Sequence, residues 1–202
     1  MFAIVEAAGW PIWFLILASV IAVGLIVERL MFLRSNRIAP PTLLNDVVKE
    51  LTNRGVSDGM LAKLADSSPL GRVFAAGLKN IKSTPEVMKE SIEEAGRAAS
   101  HDLNRFLSAL GTIATISPLL GLFGTVVGMI EIFGSQNPAG NNPAVLAHGI
   151  SVALYNTAFG LIVAVPSMIF YRHFRARVEG LTIEMEQQAI KLVEIVHGQR
   201  KG

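Results

Sequence analysis

The chain has 202 residues, 51% of them hydrophobic and only 17% charged, with no cysteine and a formal net charge of +2. Charged residues fall well below the roughly 25% usual in soluble domains, so a large apolar surplus must face something other than water. The lack of cysteine excludes disulfide frameworks, thiolate catalysis and thiolate metal sites, and the basic residues, interleaved with Asp and Glu and not gathered with aromatics, give no support to nucleic-acid binding.

In chain order, a short N-terminus (residues 1–9) leads into an uncharged run from Trp10 to Val27. Glu28-Arg29 closes that run, and apolar character resumes through Leu33, so a first helix is predicted over 10–33. It lacks a basic leader and a small-residue cleavage site, and therefore reads as a retained anchor and not a signal peptide. Residues 34–105 read as a helical domain with short breaks. Pro40-Pro41 interrupts it, Thr42 to Arg54 forms an amphipathic helix, and Gly55, Gly59, Ser67-Ser68-Pro69 and Ser83-Thr84-Pro85 punctuate the rest. Thr84 followed by Pro85 is a helix-start signal. From Pro85 no breaker appears until Pro118, and Met88, Ile92, Ala95, Ala99, Leu103 and Phe106 recur at steps of three and four. The second membrane helix (106–133) is therefore predicted to continue a preceding helix without a break.

A polar loop follows over 134–147, and a third uncharged run from Gly149 to Tyr171 places the last membrane helix at 148–171. That helix is predicted to run on through a C-terminal segment, 172–202, carrying a stripe of Phe174, Val178, Leu181, Met185, Gln188, Leu192 and Ile195. Such a stripe packs against another helix; bundling within the chain and association between copies both fit. Each uncharged run meets the roughly 20 helical residues needed to cross a bilayer, and only helices satisfy their backbone groups within one such segment. The predicted fold is an all-α membrane protein with three transmembrane helices and long helical extensions. Twelve Lys and Arg lie between Arg29 and Arg105 and six between Arg172 and Lys201, with none in the N-terminus or the 134–147 loop. The positive-inside rule then sets the N-terminus out and the C-terminus in, making 34–105 and 172–202 cytoplasmic.

Helices two and three are not plain anchors. Helix two carries Gly111, Gly121, Gly124 and Gly128 with Thr112, Thr115, Ser117 and Thr125; helix three carries Ser151, Tyr155, Asn156, Thr157 and Gly160. Small residues, among them the Gly124-x-x-x-Gly128 spacing, let helices approach closely. Thr125 sits among glycines and Thr157 among Ala153, Ala158 and Gly160. A threonine can satisfy its hydroxyl on the carbonyl one turn back, whereas Asn156 needs a partner or water. Together these polar centres point to a hydrated or partner-facing surface. Charge inside a bilayer is costly and marks function, yet no ionisable residue lies deep here. Glu131 and His148 flank the polar loop, either as a proton entrance or as solvated helix ends. A proton-conducting role would thus require the titrating group to come from a partner. Pro118 and Pro166 are predicted to bend their helices, with Ser117 and Ser167 placed to repair the lost hydrogen bonds. Nothing suggests an enzyme, a cofactor or a metal: there is no nucleophile–base pair, metal cluster or phosphate loop.

The stretch from Leu110 to Met129, with Ser117-Pro118-x-x-Gly121-Leu122-x-Gly124-Thr125-Val126 at its centre, resembles the signature of the ExbB/TolQ/MotA proton-channel family. His148 to Pro166 is similar to the family's second block, through Gly149-Ile150, Ala153-Leu154, Thr157-Ala158, Gly160-Leu161, Ala164 and Pro166. The resemblance implies a bacterial inner-membrane, multi-pass subunit. It would form a ring, usually a pentamer, around a dimer of single-span partners of the ExbD/TolR type. It also implies that an Asp on the partner carries the proton past Thr125 and Thr157, with Asn156 and Ser151 on the same path, and that the flow energises a TonB-like or TolA-like protein. Two positions depart from the family pattern: Val152 stands where many ExbB and TolQ chains have Glu, and Val127 where Trp is frequent. Three spans argue against the four-span MotA branch. The compact length favours an ExbB-like unit for TonB-dependent transport over a TolQ-like one, and a structural scaffold of an export complex is the reading from a different class.

Overall fold

A computed structural model describes residues 8–134 and 143–198. Among these residues the regular structure is all helix, joined by short turns, without strands. Its elements are α1 (Ile12–Phe32), α2 (Ser35–Ile38), α3 (Leu43–Arg54), α4 (Asp58–Ser67), α5 (Pro69–Lys79), α6 (Pro85–Asn104), α7 (Leu107–Gly134) and α8 (Pro143–Val196). Three of these helices, α1, α7 and α8, contain stretches long and apolar enough to cross a membrane. The chain divides into two compact units: Met1–Glu28 with Phe106–His173, and Arg29–Arg105 with Phe174–Gly202.

The first unit holds the uncharged runs. Along α1, Ile12, Leu15 and Ala22 are buried while Trp13, Phe14, Leu17, Val20 and Val23 are exposed. Apolar surface on this scale is not left to water. α7 and α8 pack through their small residues: a Cβ on Gly121 would lie 2.7 Å from the Asn156 carbonyl oxygen and 3.0 Å from Thr157 Cα, and one on Gly160 would lie 2.6 Å from the Ser117 carbonyl oxygen. The contact here is backbone against backbone.

The loop expected over 134–147 is shorter than its sequence suggested. α8 already begins at Pro143, a residue whose fixed φ and missing N–H suit the first helical position; residues 135–142 lie outside the described part. Ser117 and Ser167 do not act as expected either. Proline at 118 or 166 frees the carbonyl four residues back, that of Ala114 or Ile162. The two buried hydroxyls instead donate to Ile113 and Val163, at 2.7 Å each. Each serine satisfies itself one turn back, the geometry that bends a helix without repairing the proline's gap.

The second unit is a bundle in which α5 packs against α4 and α6. Serine caps set its joints. Ser57 Oγ accepts from the Met60 amide, and Ser68 Oγ from the Gly71 amide at 3.0 Å, ahead of Pro69 at the first position of α5. Gly59, read as punctuation, lies inside α4 with open space around it. Leu70, Val73, Phe74 and Leu78 of α5 and Met88, Ala99 and Leu103 of α6 form the core with the far half of α8. On α8 the buried line is Phe174, Val178, Leu181, Met185, Ala189, Leu192 and Val193; Gln188 and Ile195 are only half-buried. A strict heptad drifts by about 20° per repeat on a straight helix, so after two repeats the buried position passes from 188 to 189. Within this unit the stripe faces its own chain, where Thr182 donates to Ser100 at 3.4 Å and Ser35 donates to Glu184 at 3.3 Å.

The predicted continuity from Pro85 onward fails at Arg105–Phe106. Arg105 is extended (φ −52°, ψ 140°), and Phe106 has φ +66°, the only positive value at a non-glycine among the described residues. A left-handed residue with a Cβ costs roughly 1–2 kcal/mol, and another contact offsets it. In an unbroken helix the Leu103 carbonyl would accept from the Leu107 amide; here Leu107 opens α7, and the buried Arg29 guanidinium donates to Leu103 O at 3.2 Å. The same guanidinium lies 4.9 Å from the Phe32 ring centroid. A cation on the last carbonyls of a helix is favourable on both hydrogen-bonding and dipole grounds.

Candidate functional site

The two threonines singled out in the sequence meet. Thr125 on α7 and Thr157 on α8 are half-buried, and their hydroxyl oxygens are 2.6 Å apart. Thr125 Oγ1 also lies 3.2 Å from the Gly121 carbonyl, one turn back, and 3.1 Å from the Ala153 carbonyl on the facing helix. Each hydroxyl has one hydrogen and two lone pairs. Ala153 is the residue one turn before Thr157, so Thr125 sits on the carbonyl that Thr157 would otherwise use to satisfy itself. When Thr157 donates to Thr125, and Thr125 passes its own hydrogen to Ala153 or Gly121, Thr157 keeps lone pairs available on a half-exposed face. When the order reverses, Thr157 has a hydrogen to give. The pair can therefore present either an acceptor or a donor without carrying charge.

Asn156, one residue earlier, is held differently. It is 1% exposed, and its Nδ2 donates to the Ala8 carbonyl at 2.8 Å. Its side chain lies against Gly124, where a Cβ would come within 2.7 Å of Asn156 Cγ. Its Oδ1 is buried and has no protein partner. Asn156 lines a cavity of about 530 Å³ with Glu131 and His148, both themselves exposed, and with Gly128, Val152 and Ala153. Ser151 stands apart: it is exposed and donates to the Ala147 carbonyl at 3.0 Å. The predicted residues thus fall into a hydroxyl pair at Thr125–Thr157, a cavity group of Asn156, Glu131 and His148, and the separate Ser151. The Gly121, Gly124, Gly128 and Gly160 positions are the close-contact points beneath both groups, with Gly128 facing Ala153 Cβ at 3.1 Å.

Two participants escaped the sequence reading because they act through backbone oxygens. The Ala153 carbonyl could have been found by stepping one helical turn back from Thr157. The Ala8 carbonyl carries no signal in a side-chain pattern. Among the described residues no group of three His, Cys, Asp or Glu side chains could hold a metal ion.

Residues 65–187 match the model of the MotA/TolQ/ExbB proton channel family. The chain belongs to that family. The matched stretch contains both threonines, Asn156 and the α7–α8 glycine contacts. A biopolymer transport protein ExbB-like 3 of Synechocystis sp. is 36% identical over 163 residues, covering 78% of this chain and 77% of the relative. The biopolymer transport protein exbB1 of Vibrio cholerae is 32% identical over 170 residues (81% and 74%), and the Tol-Pal system protein TolQ of Pseudomonas aeruginosa 30% over 184 residues (83% and 80%). MotA/TolQ/ExbB proteins form a proton channel family, not an enzyme family, and three helices able to span a membrane accord with that.

Proposed function

We propose that the chain is the ring subunit of a proton-driven motor in the bacterial inner membrane, set with its N-terminus out and C-terminus in. Several copies, in a pentamer by family resemblance, surround a dimer of single-span partners of the ExbD/TolR type, and the proton flow energises a TonB-like protein for outer-membrane transport. The observation that carries this reading is the reversible hydroxyl pair. No Asp, Glu, Lys, Arg or His lies between Ile12 and Val27, between Leu107 and Ile130, or between Gly149 and Tyr171, so the proton carrier belongs to the partner. A neutral carboxylic acid on that partner donates to Thr157, and its ionised form accepts from Thr157, with Thr125 re-aiming in step. A full charge on the ring would trap the carboxylate by pairing with it; a neutral hydroxyl pair attends both states. One proton crossing about 100 mV releases roughly 2.3 kcal/mol, so a large mechanical step needs several.

The test is proton uptake by the reconstituted complex with its partner. Thr157→Val removes the hydroxyl while keeping the shape, and is expected to abolish uptake with assembly intact, whereas Thr157→Ser retains it. Wild-type uptake by Thr157→Val would overturn the reading and leave a purely structural scaffold. A TolQ-like role draws on the 30% identity to a TolQ over 83% of this chain. Expression in hosts lacking either system decides between the two: rescue of TonB-dependent uptake supports the ExbB role, and rescue of envelope integrity alone the TolQ role.

A further inference from the structure

We propose that Arg34, Arg37, Arg172 and Arg177 hold the phosphate groups of anionic phospholipids in the inner leaflet, through the geometry of the guanidinium and not through charge alone. The choice of leaflet rests on the orientation proposed above; the recognition itself does not. The starting point is which basic residue stands where. The stretches of six residues flanking the three spans on their basic side are 34–39, 100–105 and 172–177. They hold Arg34, Arg37, Arg105, Arg172, Arg175 and Arg177, and no lysine. All the lysines lie farther off, and the nearest, Lys49, is 16 residues past Leu33. The rule that sets topology counts Lys and Arg alike, so it does not account for this choice. The two side chains differ in what they bind. An ammonium is a point charge, whereas a guanidinium is a planar fork whose paired N–H groups match two oxygens of one phosphate.

The structure leaves four of these forks open. Arg34, Arg37, Arg172 and Arg177 are exposed and, among the described residues, pair with no carboxylate. Farther from the spans, Arg72 lies 2.9 Å from Asp102 and Arg97 lies 3.3 Å from Glu93. Asp102 is the one acid in the three flanking stretches, and its carboxylate is already engaged by Arg72. The positions along the chain also suit a headgroup. Arg34 and Arg37 follow the end of α1 at Phe32 by two and five residues. Arg177 is six residues past Tyr171, about 9 Å along a helix, and the headgroup layer is roughly 5–8 Å deep on each side of the hydrocarbon. Side chains on a helix lean toward its N-terminus, which on α8 is back toward the bilayer. A long arginine stem can follow apolar surface while its head stays in the polar layer. Anionic lipids of the cytoplasmic leaflet supply the complementary charge. The subunit thereby selects the lipid that surrounds its inner end.

The test compares charge with fork. The complex with its partner, in mild detergent, is given equimolar phosphatidylglycerol and phosphatidylcholine, and the lipids it retains are counted by native mass spectrometry. Wild type is expected to keep phosphatidylglycerol over phosphatidylcholine by about tenfold, the effect of one charge-assisted hydrogen bond. A variant combining Arg34→Lys, Arg37→Lys, Arg172→Lys and Arg177→Lys keeps every charge and loses every fork. Giving up one of two parallel bonds halves the preference in free energy, to about threefold. Arg54→Lys with Arg97→Lys, away from the spans, should leave the wild-type ratio untouched. A wild-type ratio in the combined variant would overturn the fork and leave charge alone; a ratio near one in wild type would overturn lipid recognition altogether. Excess soluble glycerophosphate separates a headgroup from a free anion: the lipid should stay bound, and its displacement would overturn the membrane source. Assembly with the partner is read in the same spectrum, and each ratio is taken within one variant, so a damaged fold that sheds both lipids does not mimic lost selectivity. The ratio is independent of proton uptake and of sidedness. Normal uptake by Thr157→Val therefore sinks the channel reading and leaves the lipid preference standing.

Discussion

A hydroxyl on a membrane helix is ordinarily spent on its own backbone, and Thr112, Thr115, Ser117, Ser151 and Ser167 all do this. Thr157 is the exception because Thr125 reaches across to Ala153 first. This gives Thr125 a role that can be tested without touching Thr157. In Thr125→Val the Ala153 carbonyl is released, Thr157 rotates onto it, and proton uptake is expected to fall even though Thr157 is unchanged. Thermal unfolding in detergent should show a loss of only about 1 kcal/mol, the value of one net hydrogen bond. A second expectation concerns Gly124. Its missing Cβ leaves the space Asn156 occupies, so Gly124→Ala should push the carboxamide off the Ala8 carbonyl. Hydrogen exchange at the N-terminal segment reads that release, and unchanged protection there would show that the bond is not held in this way.

At the scale of elements, the break between α6 and α7 is maintained by Arg29 on the Leu103 carbonyl against the cost of Phe106. Phe106→Gly removes that cost and should stabilise the fold by about 1 kcal/mol. Arg29→Met takes the cation from a buried carbonyl and should speed amide exchange across residues 103–110. At the other end of α6, Glu86 is held below the usual carboxylate range, first by backbone hydrogen bonding at the helix start and then by the Thr84 hydroxyl. Because its folded pKa is depressed, its stabilising contribution is present above the ordinary carboxylate pKa of about 4.3. That contribution fades as pH falls through the folded value. Wild type and Glu86→Gln should therefore differ slightly at neutral pH and converge in acid, read by denaturant midpoints at each pH.

Much of this was legible in the chain. Uncharged runs announced α1, α7 and α8, and Ser68-Pro69 and Thr84-Pro85 announced α5 and α6. Thr125 and Thr157 stood out as hydroxyls in glycine-rich surroundings. The break at Phe106 was not legible, since Asn104-Arg105-Phe106-Leu107 contains neither glycine nor proline and the group that meets the freed Leu103 carbonyl lies 74 residues away at Arg29. Ser117 and Ser167 were misassigned because adjacency to proline says nothing about which carbonyl a hydroxyl will choose. The fate of Asn156 depended on a backbone oxygen at Ala8, outside any pattern of side chains.

For the whole molecule, the uneven basic residues make a topology test available. A cysteine at Ala147, which is exposed, should react with an impermeant reagent in intact cells. One at Ser83, also exposed, should react only after permeabilisation. The reverse pattern would invert the orientation proposed above. Lastly, the contact at Gly121 and Gly160 limits what the subunit can do as a machine part. With main chain pressed on main chain there, neither α7 nor α8 can swivel or slide past the other without collision. The two helices behave as a single welded stave. In the ring proposed above, any motion that proton flow drives would have to be absorbed where this stave meets its neighbours or its axle, not within it.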